Sequence, residues 1–411
     1  MKIIRLLSFI AFFSFSNSFA QTVQAPSKLP SVSFNNGLGI TSPDSSFGVA
    51  IRMRIQNRVG AILTENSDGN WELTESEFRA RRVRLRFDGF VFNPKWTYAL
   101  QLSFSRGDQD WDASNVPNVL RDAMIFYKPN KHWLIGFGQG KLPGNRQRVV
   151  SSGEQQFTDR SIVNANLTID RDFGINASYS FNFGKPQFIL RGAISGGEGR
   201  NEGLSGFNNV NPGLSYTGRM EILPFGIFDK RGDYSESDLA REPKPKLSIA
   251  AGYNYNEGSE RTGGQLGRLL YSPLNLKNFI SDFVLKYRGL SIYGEYIRRV
   301  STTSPITNII SNGVIVQSRY IYQGEGALIQ AGYLFKNNYE FAARYAQLNP
   351  FIEIGAFEDI KKNYAICFSK YLKGHKLKLQ TDFTFEEAFD ALSKARSGRS
   401  LAWRFQIEMG L

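Results

Sequence analysis

Hydrophobic and polar residues alternate along most of this chain. In 47–61, Phe47, Val49, Ile51, Met53, Ile55, Val59 and Ala61 alternate with Arg52, Arg54, Gln56 and Arg58. In 401–411, Leu401, Trp403, Phe405, Ile407, Met409 and Leu411 alternate with Arg404, Gln406 and Glu408. Successive strand side chains point to opposite faces, so each segment has one apolar face and one that carries charge and amide. The rhythm recurs in 78–91, 96–105, 121–128, 133–141, 173–181, 187–195, 215–223, 247–255, 279–288, 290–298, 327–335, 339–346, 363–372 and 376–385. Together with 47–63 and 401–411 these are about sixteen predicted strands, an even number typical of a closed membrane barrel.

Asn93-Pro94-Lys95, Pro129-Asn130-Lys131, Gly184-Lys185-Pro186, Lys336-Asn337-Asn338 and Lys373-Gly374 have the chemistry of tight turns. The stretches 64–77, 106–120, 142–172, 196–214, 226–246, 256–278 and 386–399 read as long loops, with a helix expected in 386–395. Short turns at one end and long loops at the other suit an all-β, transmembrane antiparallel β-barrel. Lipid offers no hydrogen bonds to the backbone, so such a chain must pair every strand. The competing architecture is a secreted soluble β-protein, whose strands hide their apolar face in a core.

Lys2 and Arg5, the apolar run 6–15 and Ser18-Phe19-Ala20 form a secretory signal with a small-x-small cleavage site. The predicted organisation is a signal peptide at 1–20, a polar N-terminal segment at 21–46 and one barrel domain at 47–411. Export to the bacterial outer membrane follows as an expectation. The formal charge of +13 includes Lys2 and Arg5. Nucleic-acid binding is not expected, because the basic residues alternate along strands behind a signal. Cys367 is the single cysteine and forms no intramolecular disulfide.

The candidate chemistry lies on the polar face of the first two strands. Arg52, Arg54 and Arg58 on one, and Arg82, Arg84 and Arg86 on the next, are expected to face a lumen, with Asp88 among them. Two unit charges about 7 Å apart repel by roughly 2.4 kcal/mol at an effective dielectric of 20, so the ladder needs partners. A diffusible anion is one, since Arg matches phosphate oxygens bidentately. The other is the loop 142–172, whose Glu154, Asp159, Asp170 and Asp172 can latch onto the ladder from inside the barrel. That loop also brings Arg146, Arg148, Arg160 and Arg171, and Lys141 precedes it. Both partners are expected together, as a latched loop that narrows a pore and leaves a residual positive surface. Arg191, Arg219, Arg344, Arg404, Lys376 and Lys378 add lumen bases, offset by Asp122, Glu221, Asp282, Glu295, Glu340, Asp382 and Glu408.

Phe78-Arg79-Ala80-Arg81-Arg82-Val83-Arg84-Leu85 and Trp96-Thr97-Tyr98-Ala99-Leu100-Gln101 resemble the phosphate-selective porin O and P family. So do Gly138-Gln139-Gly140-Lys141-Leu142-Pro143, Asp159-Arg160-Ser161 and Arg171-Asp172-Phe173-Gly174. The resemblance is strongest over 47–184. It implies a sixteen-stranded outer-membrane barrel, usually a homotrimer, with the loop after the fifth strand folded inward as the constriction. It also implies passive diffusion of small anions such as phosphate. No Lys ladder is recognisable in the later strands, so anion preference is expected rather than strict phosphate specificity.

His132 and His375 lie beside different turns and, with one cysteine, make no metal site. No nucleophile elbow or phosphate-binding loop is present, and no catalytic residue or cofactor is expected. Gly196-Gly197-Glu198-Gly199 reads as a flexible loop and Arg231-Gly232-Asp233 as a solvated turn. The alternatives to an anion channel are a general diffusion porin of weak selectivity and a barrel whose long loops bind a ligand.

Overall fold

The computed structural model describes residues 29–34, 37–106, 118–201 and 213–411. The expected signal peptide lies outside the described residues. The strands are β1 (Ser31–Ser33), β2 (Leu38–Thr41), β3 (Phe47–Glu65), β4 (Trp71–Val91), β5 (Asn93–Ser103), β6 (Leu120–Tyr127), β7 (Trp133–Lys141), β8 (Arg171–Asn182), β9 (Gln187–Ser195) and β10 (Ser215–Leu223). They continue with β11 (Lys246–Arg261), β12 (Leu269–Tyr287), β13 (Leu290–Ser301), β14 (Ile306–Ser311), β15 (Val314–Tyr320), β16 (Gly324–Leu334), β17 (Tyr339–Pro350), β18 (Ile360–Tyr371), β19 (Leu377–Phe389) and β20 (Arg396–Gly410). Two short helices, α1 (Arg146–Val149) and α2 (Ile162–Leu167), lie between β7 and β8.

Among the described residues, sixteen antiparallel strands close into one barrel, as expected. Each pairs with its neighbour, and β20 returns to β3 with Ser400 opposite Thr64 and Gly410 opposite Arg54. Closure matters because an unpaired strand edge in lipid would leave several peptide groups unsatisfied. The β1–β2 hairpin, within the polar N-terminal segment, pairs Leu38–Thr41 with Ile51–Gly48 of β3, directly below the end of β20. β14 and β15 form a separate hairpin at the loop end, in a stretch where no strand was expected.

The outer wall is apolar, with Ile125, Phe137, Ile175, Ile249 and Ile366 exposed. Two aromatic belts bound it. Near the tight turns, the rings of Trp96 and Tyr127 lie 4.6 Å apart and those of Trp133 and Tyr179 4.8 Å apart, both pairs tilted. Near the loops, Tyr345 lies 5.1 Å from Tyr364, which lies 6.4 Å from Phe385. Trp403 sits on this outer face and satisfies its indole N–H by donating to Thr381 Oγ1 at 3.0 Å. His132 joins the turn-end belt, with Nδ1 2.7 Å from the Ser180 carbonyl.

Several expectations are corrected. The stretches 64–77 and 256–278 are chiefly strand, because β3–β4 and β11–β12 continue as long ribbons beyond the wall. No helix forms at 386–395; the alternating pattern carries β19 to Phe389, and Asp390 caps a turn by accepting from Leu392 and Ser393. The connection 224–245 follows a descending strand, so it sits with the tight turns and not with the loops. It folds into the lumen, which buries Asp233 of the Arg-Gly-Asp tripeptide rather than leaving it solvated.

The β3–β4 ladder contains a bulge. Gln56 faces Arg82, but the next residue, Asn57, faces Ala80, so Arg81 is the extra residue. A bulge reverses the parity of everything beyond it. Phe78 is therefore on the outer wall, 81 % exposed, and Arg79 stands opposite Arg58 on the inner one. In a Cys367→Ser background, Cys at Arg79 should react with a water-soluble thiol reagent and block current, whereas Cys at Ala80 should not. The reverse labelling would contradict the bulge.

Candidate functional site

Loop 142–170 leaves the top of β7 and crosses the lumen. Ser161 caps α2 by accepting from Asn164 N, and α2 packs with its Val163 and Leu167 onto inward-facing Ile297, Leu328 and Leu348. Ile280 and Val284 of β12 and Phe228 of 224–245 belong to the same apolar cluster. Half of the barrel interior is thus a dry core, not the uniformly polar lumen that alternation alone suggests. Further along the loop, Phe157 packs on Ala342, Ala365 and Cys367. Thr158 donates through N and Oγ1 to Asp382 Oδ2 at 2.9 and 2.6 Å.

The opposite side of the lumen is basic. Arg52 faces Arg86, and Arg54 faces Arg84, directly across the ladder. Their repulsion is met by fixed partners. Asp88 pairs with both Arg52 and Arg86, the latter at 2.7 Å, and Glu408 lies 3.2 Å from Arg54. Glu77 lies 2.8 Å from Arg58 and also pairs with Arg79. Asp159 at the loop tip pairs with Arg58, with Arg81 at 3.2 Å and with Arg82 at 3.5 Å. Arg82 also donates to Gln56 Oε1 at 2.8 Å. Arg54 and Arg84 donate to the Ser151 and Ser152 hydroxyls at 2.9 and 2.8 Å. The backbone passes so close here that a Cβ at Gly153 would lie 2.3 Å from Arg54 Cζ. Of the loop acids expected on the ladder, only Asp159 is brought into ion-pair contact with it among the described residues. Asp170 pairs with Arg148 and Arg171 within the loop region, and Asp172 accepts from the backbone of Gly197 and Phe173.

The loop's basic residues divide into two groups. Arg146 is wholly buried on the dry side, bound to Asp282 at 2.6 Å and to the Asp233 carbonyl at 2.8 Å. The others flank the open side. Arg171 pairs with Asp122 at 2.7 Å. Lys141 donates to the Val149 carbonyl at 2.7 Å, and Arg160 to the carbonyls of Gln147 and Val150 at 2.7 and 2.9 Å. Backbone carbonyls orient these two side chains.

A cavity of about 620 Å³ opens between loop and wall. Its basic lining is Arg81, Arg82, Arg84, Arg121, Lys141, Arg148, Arg160, Arg171, Arg200, Arg344 and Arg404, against Asp159, Asp382 and Glu386. Arg52, Arg54, Arg58, Arg86 and Arg146 are not in that lining. Arg52 and Arg86 stand lower on the wall, with side chains 32 and 37 % exposed. Sequence reasoning missed Arg79, Arg81, Arg121 and Arg200. The signal for the first two was present, since Phe78 is out of phase with Val83, Leu85 and Phe87 and marks the bulge. Among the described residues no group of His, Cys, Asp and Glu suits a metal ion.

The model for the family described as phosphate-selective porin O and P matches residues 49–380. The chain belongs to that family. This porin's fold is shared by solved outer-membrane proteins of low sequence identity. The outer membrane channel DcaP of Acinetobacter baumannii is 11 % identical, with a TM-score of 0.51, covering 90 % of this chain and 99 % of that one. The anion-selective porin from Comamonas acidovorans is 11 % identical, with a TM-score of 0.51 and coverage of 89 and 100 %. Salmonella typhi OmpF is 13 % identical, with a TM-score of 0.51 and coverage of 90 and 99 %. No curated protein matches the sequence. Family and fold make this porin an outer-membrane channel.

Burial would raise the Asp159 carboxyl, but the guanidinium groups of Arg81, Arg58 and Arg82 outweigh it and hold it well below the usual range. A depressed pKa stabilises above the unfolded value, about 3.9, and is lost only as pH falls through the folded value. The constriction should keep its conductance between pH 7 and pH 4, read in planar bilayers. Asp159→Asn should lower folding stability by about 1–3 kcal/mol through unsatisfied guanidinium groups. Wild-type melting of that variant would contradict the latch.

Proposed function

We propose that this porin conducts small anions preferentially, phosphate among them, by passive diffusion and without chemical conversion. The observation that carries the reading is the excess of guanidinium and ammonium groups around the cavity at the loop. Such a mouth focuses the field of its charges, raises the local anion concentration and repels cations. Among the described residues neither Arg160 nor Lys141 has a carboxylate in ion-pair contact, so they are the residues proposed to meet a passing anion first. Arg84, Arg86 and Arg52 then offer successive sites lower on the wall. Conduction needs binding strong enough to attract and weak enough to release, and a row of arginines shared with Asp88, Glu408 and Asp159 meets that condition.

That sharing also favours modest selectivity over strict phosphate specificity. We further propose that residues 1–20 are a cleaved export signal, as the basic start and small-residue site support. A homotrimer in outer-membrane lipid is proposed from the family. Asn57, an exposed amide among apolar neighbours on the outer wall of β3, supports a protein contact there.

Reversal potentials in a salt gradient should show anion preference, with phosphate reducing chloride current. Arg82→Ala, Arg84→Ala and Arg86→Ala combined should bring the permeability ratio towards unity. Cation preference in the unmodified channel would overturn the reading, and unchanged selectivity in the triple variant would remove these arginines from it.

A further inference from the structure

The connection 224–245 is unusual for its place. It joins β10 to β11 at the end where neighbouring connections are tight turns, yet it carries two short 3-10 turns (Asp229–Tyr234), kinked at Lys230 and Arg231, and turns into the lumen. Its polar groups are tied to the barrel at three places around the mouth. Beside the β12–β13 turn, Gly289 N donates to Asp238 Oδ2 at 2.7 Å, Arg288 N to the Glu242 carbonyl at 2.9 Å, and Lys286 Nζ to the Ser235 and Ser237 carbonyls at 2.8 and 2.6 Å. At the β16–β17 turn, Arg241 donates to the Phe335 carbonyl at 2.5 Å. At the β18–β19 turn, Ser235 Oγ lies 3.0 Å from His375 Nε2. Ser237, Asp238 and Glu242 are essentially inaccessible to solvent. A surface loop has no need of such anchoring.

The inner end of the segment meets the constriction loop. Glu236 N donates to the Glu154 carbonyl at 2.9 Å, and the Glu236 carboxylate accepts from Gln156 N at 2.8 Å and from Gln330 Nε2 of the wall at 3.0 Å. One carboxylate thereby ties the loop, the wall and the turn-end segment together. Gln156 stands between Gly153, against Arg54, and Thr158, against Asp382. This stretch of loop is therefore held by the wall, where Gln156 Nε2 donates to Ser291 Oγ and Glu340 Oε1 at 2.7 and 2.8 Å, and by Glu236 from below.

We propose that 224–245 is a second constriction element entering from the periplasmic mouth, and that Glu236 is a positioning residue that fixes the aperture by holding loop 142–170 in place. This rests on the lumen being the conducting path, as the function proposed above requires. The loop is already fastened to the wall at Asp159, Thr158, Phe157 and α2. With the segment beneath it, it becomes a supported shelf, and the barrel is closed from both ends on the dry side, leaving only the basic side open.

The test replaces 227–243 with a short Gly-Asn turn and, separately, makes Glu236→Ala and Glu236→Gln in the full chain. Single-channel conductance and the swelling of proteoliposomes in neutral sugars are read for each. The shortened connection should raise conductance about twofold and admit larger sugars. Glu236→Ala should give a higher or fluctuating conductance, and Glu236→Gln, which keeps an acceptor, should lie near the unmodified channel. Should the shortened barrel fail to fold, the Glu236→Ala conductance decides alone. Unmodified conductance and size limit in the variants that fold would overturn the proposal. Sugar entry is blind to charge, so a widened pore that nevertheless prefers cations would reject the anion reading and leave this one standing.

Discussion

The arrangement of this barrel depends on charge balance inside a closed wall. Arginines opposite one another on β3 and β4 cannot turn outward, because hydrocarbon lies there, and cannot separate, because the backbone ladder fixes them. Counter-charge must therefore be carried in. Asp88, Glu77 and Glu408 supply it from the strands, and Asp159 supplies it from a loop that has to cross the lumen to arrive. The contact between Asp159 and Arg58, Arg81 and Arg82 thus turns a like-charge problem in the wall into the device that positions the constriction.

Strand identity and barrel closure were legible from alternation, because a half-wet strand in lipid has little freedom to depart from period two. All sixteen strands were readable, and 133–141, 187–195 and 215–223 have the expected bounds. Where alternation failed, a second burying surface was responsible. Ile280 and Val284 on β12 occupy inward positions and are apolar because α2 and Phe228 cover that face. The apolar pairs Phe279-Ile280 and Phe283-Val284, either side of Ser281-Asp282, were available in the sequence as a sign that something fills the barrel there. The candidate site was half legible. Arg82, Arg84, Lys141, Arg148, Arg160 and Arg171 do gather around one cavity, but Arg146 belongs to the buried network and Arg52, Arg54, Arg58 and Arg86 lie outside the cavity's lining.

The end at which a connection lies was harder to read than its length. Counting strands places 224–245 among the turns, whereas its composition, rich in Asp, Glu, Lys and Arg, suggested an exposed loop. The carboxylates of Glu236, Asp238 and Glu242 are in fact spent on backbone and side-chain amides, while Asp229, Lys230 and Arg231 stay exposed. Interior polar groups tolerate burial when each has a partner, and here two inserted segments provide partners for one another. The interior is accordingly a composite of a packed half, filled by the two inserted segments, and a cationic half that holds the cavity.

The seam between β3 and its partners has a consequence of its own. β20 covers Arg54 to Thr64, and the β1–β2 hairpin continues from Ile51 to Gly48, with Leu411 N donating to the Met53 carbonyl between them at 3.0 Å. Early and late stretches of the polypeptide therefore abut like two tiles along a single flank. The zipper that shuts the cylinder is made by segments hundreds of residues apart, so its final row of bonds forms only once nearly the whole chain has been delivered.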